Sequence, residues 1–334
     1  MMTRTLVLVL LLLWLAFTLF PVYWLAVTAL KPPPAVFNGP TYIPWVDFEP
    51  NLTAFREIFG GARGDVVRPL VNSSLIGLSA ALIATALGTM AAYALVRFPF
   101  RVRLLAGVLF AVSGIGAFLA LRLLGWGEGV TMGLAFLFAL AVAVLANGLR
   151  LPGKVLGNDD VAFWFVSQRM FPPIVSAFAL YLLYARLGRE GLVLLDTYLG
   201  LTLCYVAFVL PIVVWLMRDF LQSLPVAVEE AALVDDVPRW RIFLGIVLPM
   251  ARPGLVATFL IALSFVWNEF LFALILTSSE WQTMPINISG QASVRGTEWW
   301  AISAAALVAI TPMVVIAAFL SRMMRSGLLL GAIR

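Results

Sequence analysis

Long apolar runs are the feature that most constrains how this chain can fold. A helix needs about 20 mainly apolar residues to cross the hydrocarbon core of a bilayer. Runs of that order recur along the sequence at 6–30, 70–96, 104–124, 130–149, 162–185, 198–217, 255–277 and 301–320. With 63% hydrophobic and 12% charged residues, the chain is too apolar for a water-soluble globule. We therefore predict an all-α protein, a polytopic bundle of about eight transmembrane helices.

The first run follows Arg4 and shows no small-residue cleavage site behind it. A secretory signal peptide would combine a shorter apolar stretch with such a site. We therefore expect a retained spanning helix at 1–30.

Lys and Arg are in excess on one side of the predicted membrane, with clusters at 97–103, 218–252 and 322–334. Because cytoplasmic connections are enriched in these residues, we expect both termini and the 218–254 connection in the cytoplasm. The net charge of +5 comes from short clusters at helix ends. A nucleic acid would require a basic face, so the expected partner is the lipid bilayer and not a nucleic acid.

Histidine is absent from the sequence, and Cys204 is its single cysteine. The commonest metal ligand and the usual proton shuttle are therefore missing. No metal site is expected. A membrane-embedded enzyme is also disfavoured, because no nucleophile with its base is evident.

The connection LPVAVEEAALVDDVPRWRIFLGIVLPMARPG, residues 224–254, is unusually polar for this chain. Pro225 stands where a first helical turn tolerates proline. A short amphipathic helix is expected after it, because apolar residues recur at three- and four-residue spacing. The expected apolar stripe consists of Leu224, Val228, Ala231 and Val234. The carboxylates on its polar sides are Glu229, Glu230, Asp235 and Asp236.

The second half of this connection predicts another short helix. The Asp235-Asp236 pair should end the first helix, and Pro238 should start the second. Pro249 and Pro253 then end the connection. The pattern indicates a helix-turn-helix outside the bilayer, with a slim alanine surface and carboxylates available to a protein partner.

The letters EEAALVDDVPRWRIFLGIVLP resemble the signature of the permease subunits of ATP-binding-cassette (ABC) importers. In that signature, Glu-Ala-Ala is followed at fixed spacing by Asp-Gly and by a hydrophobic-Leu-Pro ending. The residues that match are Glu230, Ala231, Ala232, Asp235, Leu248 and Pro249. With Glu229 and Asp236 they form the set that the resemblance implies for coupling to ATPase subunits, and we call 219–253 the coupling loop. The family's glycine falls on Asp236, where a positive φ costs Asp more than Gly.

Other segments resemble the carbohydrate branch of this family, in particular the second of its two permease subunits. They include RFPF, QRMFPP, WNEFLFALIL and RSGLLLGAIR. In the family, RFPF would lead almost directly to RMFPP, so we interpret 104–160 as an inserted transmembrane hairpin on a six-helix core. The resulting division is a first helix (1–30), an external loop (31–69), a second core helix with its cytoplasmic turn (70–103), the hairpin (104–160), the remaining core helices (161–322) and a cytoplasmic tail (323–334).

The resemblance implies a multi-pass protein of a prokaryotic plasma membrane that works in a complex. It would pair with a second permease subunit as a heterodimer, bind two ABC ATPase subunits, and receive a saccharide or related polyol from an external solute-binding protein. The chain has no phosphate-binding GxxxxGK[ST] pattern. ATP and Mg are therefore expected on the ATPase subunits, with no cofactor and no enzymatic activity on this chain.

Polar residues at membrane depth are the candidates for a translocation path or gate. They are Gln168 and Arg169 in the fifth run, and Trp267, Asn268 and Glu269 in the seventh. A charged group there costs on the order of 2.5–3.5 kcal/mol, so it should face protein or water. A structural Arg169–Glu269 pair that joins two helices is an alternative. Trp267 offers a stacking face for a sugar, but packing is the commoner role of such an aromatic residue.

A secondary transporter driven by an ion gradient is the alternative function. It would require intramembrane carboxylates and inverted helix repeats. Glu269 is the one carboxylate deep in a predicted span, and the two halves of the sequence show no repeat. Copurification of ATPase subunits would discriminate between the two functions.

Overall fold

The computed structural model describes residues 2–38, 41–60, 66–149, 154–290, 292–293 and 296–325. Helices dominate these residues, which confirms the predicted all-α class. The helices are α1 (Met2–Leu30), α2 (Pro33–Phe37), α3 (Thr53–Phe59), α4 (Val67–Arg97), α5 (Leu104–Leu123), α6 (Glu128–Gly148), α7 (Asn158–Ser167), α8 (Pro173–Arg189), α9 (Tyr198–Gln222), α10 (Val226–Val234), α11 (Arg239–Ile242), α12 (Leu248–Met250), α13 (Arg252–Trp267), α14 (Leu271–Leu276), α15 (Met284–Gly290) and α16 (Trp299–Arg325). The short strands are β1 (Val102–Arg103), β2 (Val155–Leu156), β3 (Ala292–Ser293) and β4 (Gly296–Thr297). The rest of the predicted tail, 326–334, lies outside the described residues.

Among the residues that the structure describes, six helices are long and apolar enough to cross a membrane: α1, α4, α5, α6, α9 and α16. They correspond to six of the eight predicted runs. Two further helix pairs pass the same test only together, and each is sharply bent. The count therefore reaches eight if each bent pair is one span, in line with the prediction.

The fifth run, 162–185, is not one straight helix. Asn158–Met170, which adds a 3₁₀ turn to α7, meets α8 at 89°. Phe171 and Pro172 are extended at the break, with ψ of 136° and 119°. A residue before proline is forced out of the helical region, and the Phe171-Pro172-Pro173 sequence imposes that twice. The prediction of a continuous span is wrong at this point.

The seventh run, 255–277, is also interrupted. α13 ends at Trp267, and the separate helix α14 begins at Leu271. On its other side, α13 bends by 77° away from Arg239–Met250, a helix that includes the π-helical segment Phe243–Val247. The prediction of a single helix over 255–277 is therefore wrong as well.

The described chain divides into two compact units, Met1–Leu75 with Gln282–Phe319, and Ile76–Trp281 with Leu320–Arg334. The first unit has a small core that includes Ala29, Ile58, Met284 and Ala304. The indole N–H of Trp300 donates to Glu57 Oε2 at 2.9 Å.

The second unit contains all the candidate site residues. Gly88 of α4 lies directly against Val213 of α9, since a Cβ at Gly88 would stand 2.5 Å from Val213 Cγ1. Leu95, Ala162 and Val214 form a buried cluster between α4, α7 and α9. Close helix approach through small residues is the usual way to pack helices in lipid.

The helices α5 and α6 lie within the predicted hairpin, 104–160. Its base is closed by the antiparallel pair β1–β2, with Val102 opposite Leu156. The Asn158 side chain accepts from the backbone N–H of Phe100 at 2.7 Å and donates to Phe98 O at 2.7 Å. At the other end, the Glu190 carboxylate accepts from the backbone N–H of Gly129 in the first turn of α6.

Candidate coupling loop and membrane-depth cavity

The first short helix of the coupling loop begins and ends as its sequence predicts. Pro225 is the N-cap of α10, and Asp235 is the C-cap. The backbone N–H groups of Asp236 and Val237 donate to Leu233 O at 3.2 Å and to Ala232 O at 3.0 Å. This is a Schellman motif. Asp236 occupies its left-handed position with φ of 57°, which is the conformation expected for the family's glycine.

The second short helix also starts where predicted, with Pro238 as the N-cap of α11. The helix continues without a gap through the π-helical segment and α12 to Met250, so Pro249 lies within it. Pro249 is tolerated because it stands in the first turn after the π-helical segment, where the N–H at its position is dispensable.

The face that α10 buries is not the predicted one. Val228 and Val234 are 41% and 83% exposed, and Ala231 is exposed too. The residues buried are Leu224, Glu229 and Ala232. The prediction of the Leu224, Val228, Ala231 and Val234 stripe as the inner face is therefore wrong, apart from Leu224. Its physical cause is that a carboxylate, rather than an apolar side chain, anchors the helix.

Glu229 has both carboxylate oxygens bound within the chain. Oε1 lies 2.7 Å from Nε of Arg97, the last residue of α4, and Oε2 accepts from the Tyr93 hydroxyl at 2.9 Å. Glu229 and Tyr93 are buried, and the Arg97 side chain is 10% exposed. Charge-assisted hydrogen bonds of this kind are the strong ones. We call Tyr93, Arg97 and Glu229 the buried triad.

Arg97 also joins α9 to this group. Its Nη2 lies 3.2 Å from Leu221 O and 3.3 Å from Leu224 O. Carbonyls at the end of a helix have no partner within the helix and carry partial negative charge. One guanidinium therefore binds the end of α9, the connection to α10 and α10 itself.

The sequence analysis did not single out Tyr93 or Arg97. Arg97 was counted only as a cytoplasmic cation at the end of a span. A usable signal was present, because an Arg that closes an apolar helix and a Glu pair in a polar loop are complementary charges. The partners are 132 positions apart, so spacing alone does not connect them.

The opposite face of α10 is open. Glu230, Ala231 and Asp235 are exposed, and Val234 is exposed with them. On α11, Trp240 is 60% exposed, and the Arg241 guanidinium lies 5.1 Å from its ring centroid. We call this set, with Asp236, the outer face of the coupling loop.

A cavity of about 650 Å³ lies at the break between α7 and α8. Gln168, Arg169, Cys204, Phe208 and Phe272 are among its lining residues. The proline-induced bend creates the space, because it turns α8 away from the direction of α7. Gln168 and Arg169, which are adjacent in sequence, both line this cavity.

Arg169 has aromatic neighbours. Its guanidinium carbon lies 4.8 Å from the Phe208 ring centroid and 5.2 Å from that of Phe265, and Nη1 lies 3.5 Å from Phe208 O. Cation–π contacts stabilise a guanidinium that has lost water. They explain how a cation is accommodated at this depth.

Glu269 caps a helix. Its carboxylate accepts from the backbone N–H groups of Phe272 at 3.1 Å and Ala273 at 3.3 Å, in the first turn of α14. A carboxylate at a helix N-terminus is favourable. Within the described residues Arg169 and Glu269 do not form an ion pair, so that structural alternative is wrong.

Trp267 and Asn268 are not among the lining residues of the cavity. Trp267 is buried, and its ring lies 3.9 Å from where a Cβ of Gly77 would stand. Asn268 is exposed, and its amide donates to Ser264 O at 2.9 Å. The structure thus separates the two pairs of candidate path residues, with Gln168 and Arg169 at the cavity and Trp267 and Asn268 at the end of α13.

Asp196, in the connection before α9, holds the segment after α14. Its carboxylate accepts from the backbone N–H groups of Ser279, Glu280 and Trp281 at 3.0 Å each. Partial burial raises the pKa of Asp196, but these hydrogen bonds outweigh burial and leave the pKa below its usual range. Asp196 adopts a φ of 52°, and its own N–H donates to Leu276 O at 2.8 Å.

The residues that the structure describes contain no group of three or more Asp, Glu, Cys or His side chains that could hold a metal ion.

Comparison with known proteins places the chain among transporter components. Residues 159–328, about half of the chain, match the sequence profile of the family described as binding-protein-dependent transport system inner membrane component. The probable ABC transporter permease protein y4oR of Sinorhizobium fredii is 28% identical over 316 residues, covering 95% of this chain and 90% of that protein. The trehalose transport system permease protein SugB of Mycobacterium tuberculosis is 28% identical over 323 residues, covering 95% and 93%.

A solved structure has the same fold. It is described as a bacterial ABC transporter involved in the import of the acidic polysaccharide alginate. The match has a TM-score of 0.64 at 16% sequence identity and covers 96% of both chains. A similarity at this level of sequence identity establishes the fold and nothing further.

Proposed function

Since the chain belongs to the family of inner-membrane components of binding-protein-dependent transport systems, we propose that it is the permease subunit of an ATP-driven importer for a saccharide or related polyol. An external solute-binding protein delivers the solute. A second permease subunit completes the path as a heterodimer. Two ABC ATPase subunits bind ATP and Mg and drive the cycle, because this chain lacks the phosphate-binding pattern of such subunits.

The observation that most supports ATP coupling is the difference between the two faces of α10. Its inner face is fixed by the buried triad, whereas its outer face exposes Glu230, Ala231 and Asp235. A helix that is held on one side and open on the other is suited to dock in a groove of a partner. Of the eight residues assigned to coupling, Glu229 and Ala232 are buried against the chain itself. The direct contacts with an ATPase subunit therefore fall to the outer face.

The orientation follows from the same proposal. The outer face must lie in the cytoplasm, where the ATPase subunits are. Arg97 is the last residue of α4, Arg218 lies in the second half of α9, and α11 contains Arg239 and Arg241. These positions agree with the enrichment of cytoplasmic connections in basic residues. Both termini are then cytoplasmic, in a prokaryotic plasma membrane.

The cavity at the α7–α8 break is proposed to contribute to the path. Its volume of about 650 Å³ falls within the range of small-molecule sites, roughly 300–1,000 Å³. Gln168 offers an amide and Arg169 a guanidinium, and both can donate hydrogen bonds to solute oxygens. We propose a different role at the break between α13 and α14 for Trp267, Asn268 and Glu269. They would support a gate there and would not bind the solute directly. A saccharide is the proposed solute class because relatives such as SugB are named for trehalose transport.

The function is tested by reconstituting the chain with its second permease, ATPase subunits and solute-binding protein in vesicles. We expect ATP hydrolysis that candidate saccharides stimulate, together with uptake of the same saccharide. Glu230→Lys should abolish uptake while the chain still inserts, because a reversed charge on the outer face opposes docking.

Asp219→Lys is the matched control, since Asp219 is an exposed carboxylate of α9 that stands at the first position of the coupling loop and does not belong to its outer face. It should leave uptake close to that of the unaltered chain. Uptake that persists in Glu230→Lys would contradict the coupling role, and uptake driven by an ion gradient without ATP would identify a secondary transporter.

A further inference from the structure

We propose that the buried triad is the internal joint through which movement of α10 reaches the membrane helices, and that Glu229 acts inside this chain and not on an ATPase subunit. This inference rests on the proposed function. It assigns different tasks to the two adjacent carboxylates, with Glu229 as a positioning residue and Glu230 as a docking residue. Arg97 and Tyr93 become positioning residues that the motif does not contain.

Both carboxylate oxygens of Glu229 are already bound within the chain. Arg97 Nε and the Tyr93 hydroxyl occupy one carboxylate oxygen each, at 2.7 and 2.9 Å. The residue is 7% exposed. A partner protein could reach this carboxylate only by breaking bonds that already exist.

Several structural elements converge on Arg97. Its Nε binds α10 through Glu229, and its Nη2 approaches the carbonyls of Leu221 and Leu224. Arg97 itself ends α4, a helix of 31 residues. The ends of α4, α9 and α10 are therefore bound to one planar group. A guanidinium fixes such geometry because its donors form a rigid fork.

Aromatic side chains pack around the buried triad. The Tyr93 ring centroid lies 4.8 Å from that of Phe243, which follows α11, and 5.9 Å from that of Phe98. The Arg239 guanidinium carbon lies 5.1 Å from the Phe98 ring centroid. Aromatic packing thus extends the joint from α10 to α11 and its continuation. Both short helices of the coupling loop are attached to the end of α4 and the residue after it.

These contacts have a mechanical consequence. Interfaces of packed side chains move as units, since interiors have few alternative arrangements. If an ATPase subunit displaces α10, then the ends of α4 and α9 are displaced with it. Removal of the charge on Glu229 should therefore leave the docking surface present but loosen its connection to these two membrane helices.

The test uses the reconstituted complex and compares Glu229→Gln with Glu230→Gln. For Glu229→Gln, we expect the ATPase subunits to copurify as before, while solute transported per ATP hydrolysed falls by about tenfold or more, because one member of a buried ion pair is lost. For Glu230→Gln, we expect the ATPase subunits to be retained less well. Tyr93→Phe removes one hydrogen bond and should lower the coupling ratio by about two- to fivefold.

Each outcome decides the inference. Loss of ATPase copurification in Glu229→Gln, parallel to loss of uptake, would place Glu229 on the docking surface and overturn the joint. An unchanged coupling ratio in Glu229→Gln would show that the joint transmits nothing. If Glu229→Gln does not accumulate, Tyr93→Phe provides the same test. An unchanged ratio of solute transported to ATP hydrolysed in Tyr93→Phe would then contradict the proposal. Failure of the proposed function is distinguishable, because the unaltered chain would then show no ATP-dependent uptake.

Discussion

The coupling loop and the α5–α6 hairpin are attached to the same unit in opposite ways. α10 has nine residues, yet both oxygens of its buried carboxylate are bound by α4. The hairpin has helices of 20 and 21 residues, and the hydrogen bonds described above lie at its two ends. Length therefore says little about which segment is mechanically connected to the core. The position of buried polar contacts says more.

The largest effect that separates the two regions is expected from two glycine-to-alanine changes, one directly after the coupling loop and one in the hairpin. Gly254 faces the Phe220 ring, and a Cβ there would stand 2.5 Å from Phe220 Cγ. Gly254→Ala should destabilise the protein by about 1–3 kcal/mol, the usual result of overpacking. No atom lies within 4 Å of where a Cβ of Gly116 in α5 would stand. Gly116→Ala should therefore leave the free energy of unfolding unchanged or raise it slightly.

The measurement for these variants is thermal unfolding of the purified chain in detergent. Equal losses in the two variants would remove the contrast between the coupling loop and the hairpin.

A smaller effect is expected in the connection between α8 and α9, which contains both Glu190 and Asp196. Asp196→Asn should cost on the order of 1–2 kcal/mol at pH 7, because a carboxylate that accepts several N–H bonds is lost. Glu190→Gln, which alters the contact between the end of α8 and Gly129 of the hairpin, should cost less. Comparison of the two midpoints of thermal unfolding tests this order, and a larger loss for Glu190→Gln would reverse it.

The pH dependence gives the Asp196 prediction a direction. The folded pKa of Asp196 lies below its unfolded value, so the unfolded state binds the proton more readily. The stability from Asp196 is complete above about pH 5 and is lost as the pH falls through and below the unfolded pKa of about 3.9. The difference between the unaltered chain and Asp196→Asn should therefore shrink as the pH is lowered from 6 to 3. A constant difference would contradict this origin.

A still smaller effect is expected at the turn of the coupling loop. Asp236 holds a left-handed conformation with φ of 57°, which glycine adopts without a steric cost. Asp236→Gly should change the free energy of unfolding by no more than about 1 kcal/mol relative to the unaltered chain. The reason is that relief of the backbone strain and the entropy cost of glycine oppose each other. Asp236→Val should destabilise more, because a β-branched residue tolerates this region poorly. Unfolding midpoints of the two variants test the assignment.

The smallest functional effect is expected from the largest deletion. β1 and β2 are paired, with Arg103 opposite Val155, so Leu104–Lys154 can be replaced by Asn-Gly, a two-residue turn that suits an antiparallel pair. Removal of two helices preserves the orientation of the rest. Vesicle uptake should stay within about twofold of the unaltered chain, because the hairpin contains no part of the buried triad. Loss of uptake with retained insertion would give the hairpin a role in transport.

Much of the coupling loop could be predicted because its signals are local. Pro225 and Pro238 fix the starts of the short helices, and the Asp235-Asp236 pair marks the turn between them. The inner face of α10 could not be predicted from spacing. Burial of Glu229 depends on Arg97, a residue that is remote in sequence and close only after α4 and α10 have packed.

The breaks in the fifth and seventh runs illustrate the same limit. Hydropathy detects the apolar length of 162–185 and 255–277. It does not show where the helix axis bends within such a run. Phe171-Pro172-Pro173 was a visible signal for the first break. The second break depends on Glu269, which caps α14. From sequence spacing alone, a carboxylate that caps a helix looks the same as a buried carboxylate that forms an ion pair.

The most direct test of the account is a photocrosslinking amino acid placed at Val234, on the outer face, in the assembled complex. Val112 of the hairpin, which is also exposed, serves as the matched position. The account predicts crosslinks from position 234 to an ATPase subunit and none from position 112. Crosslinks from position 234 to the external solute-binding protein, or to no ATPase subunit at all, would contradict it.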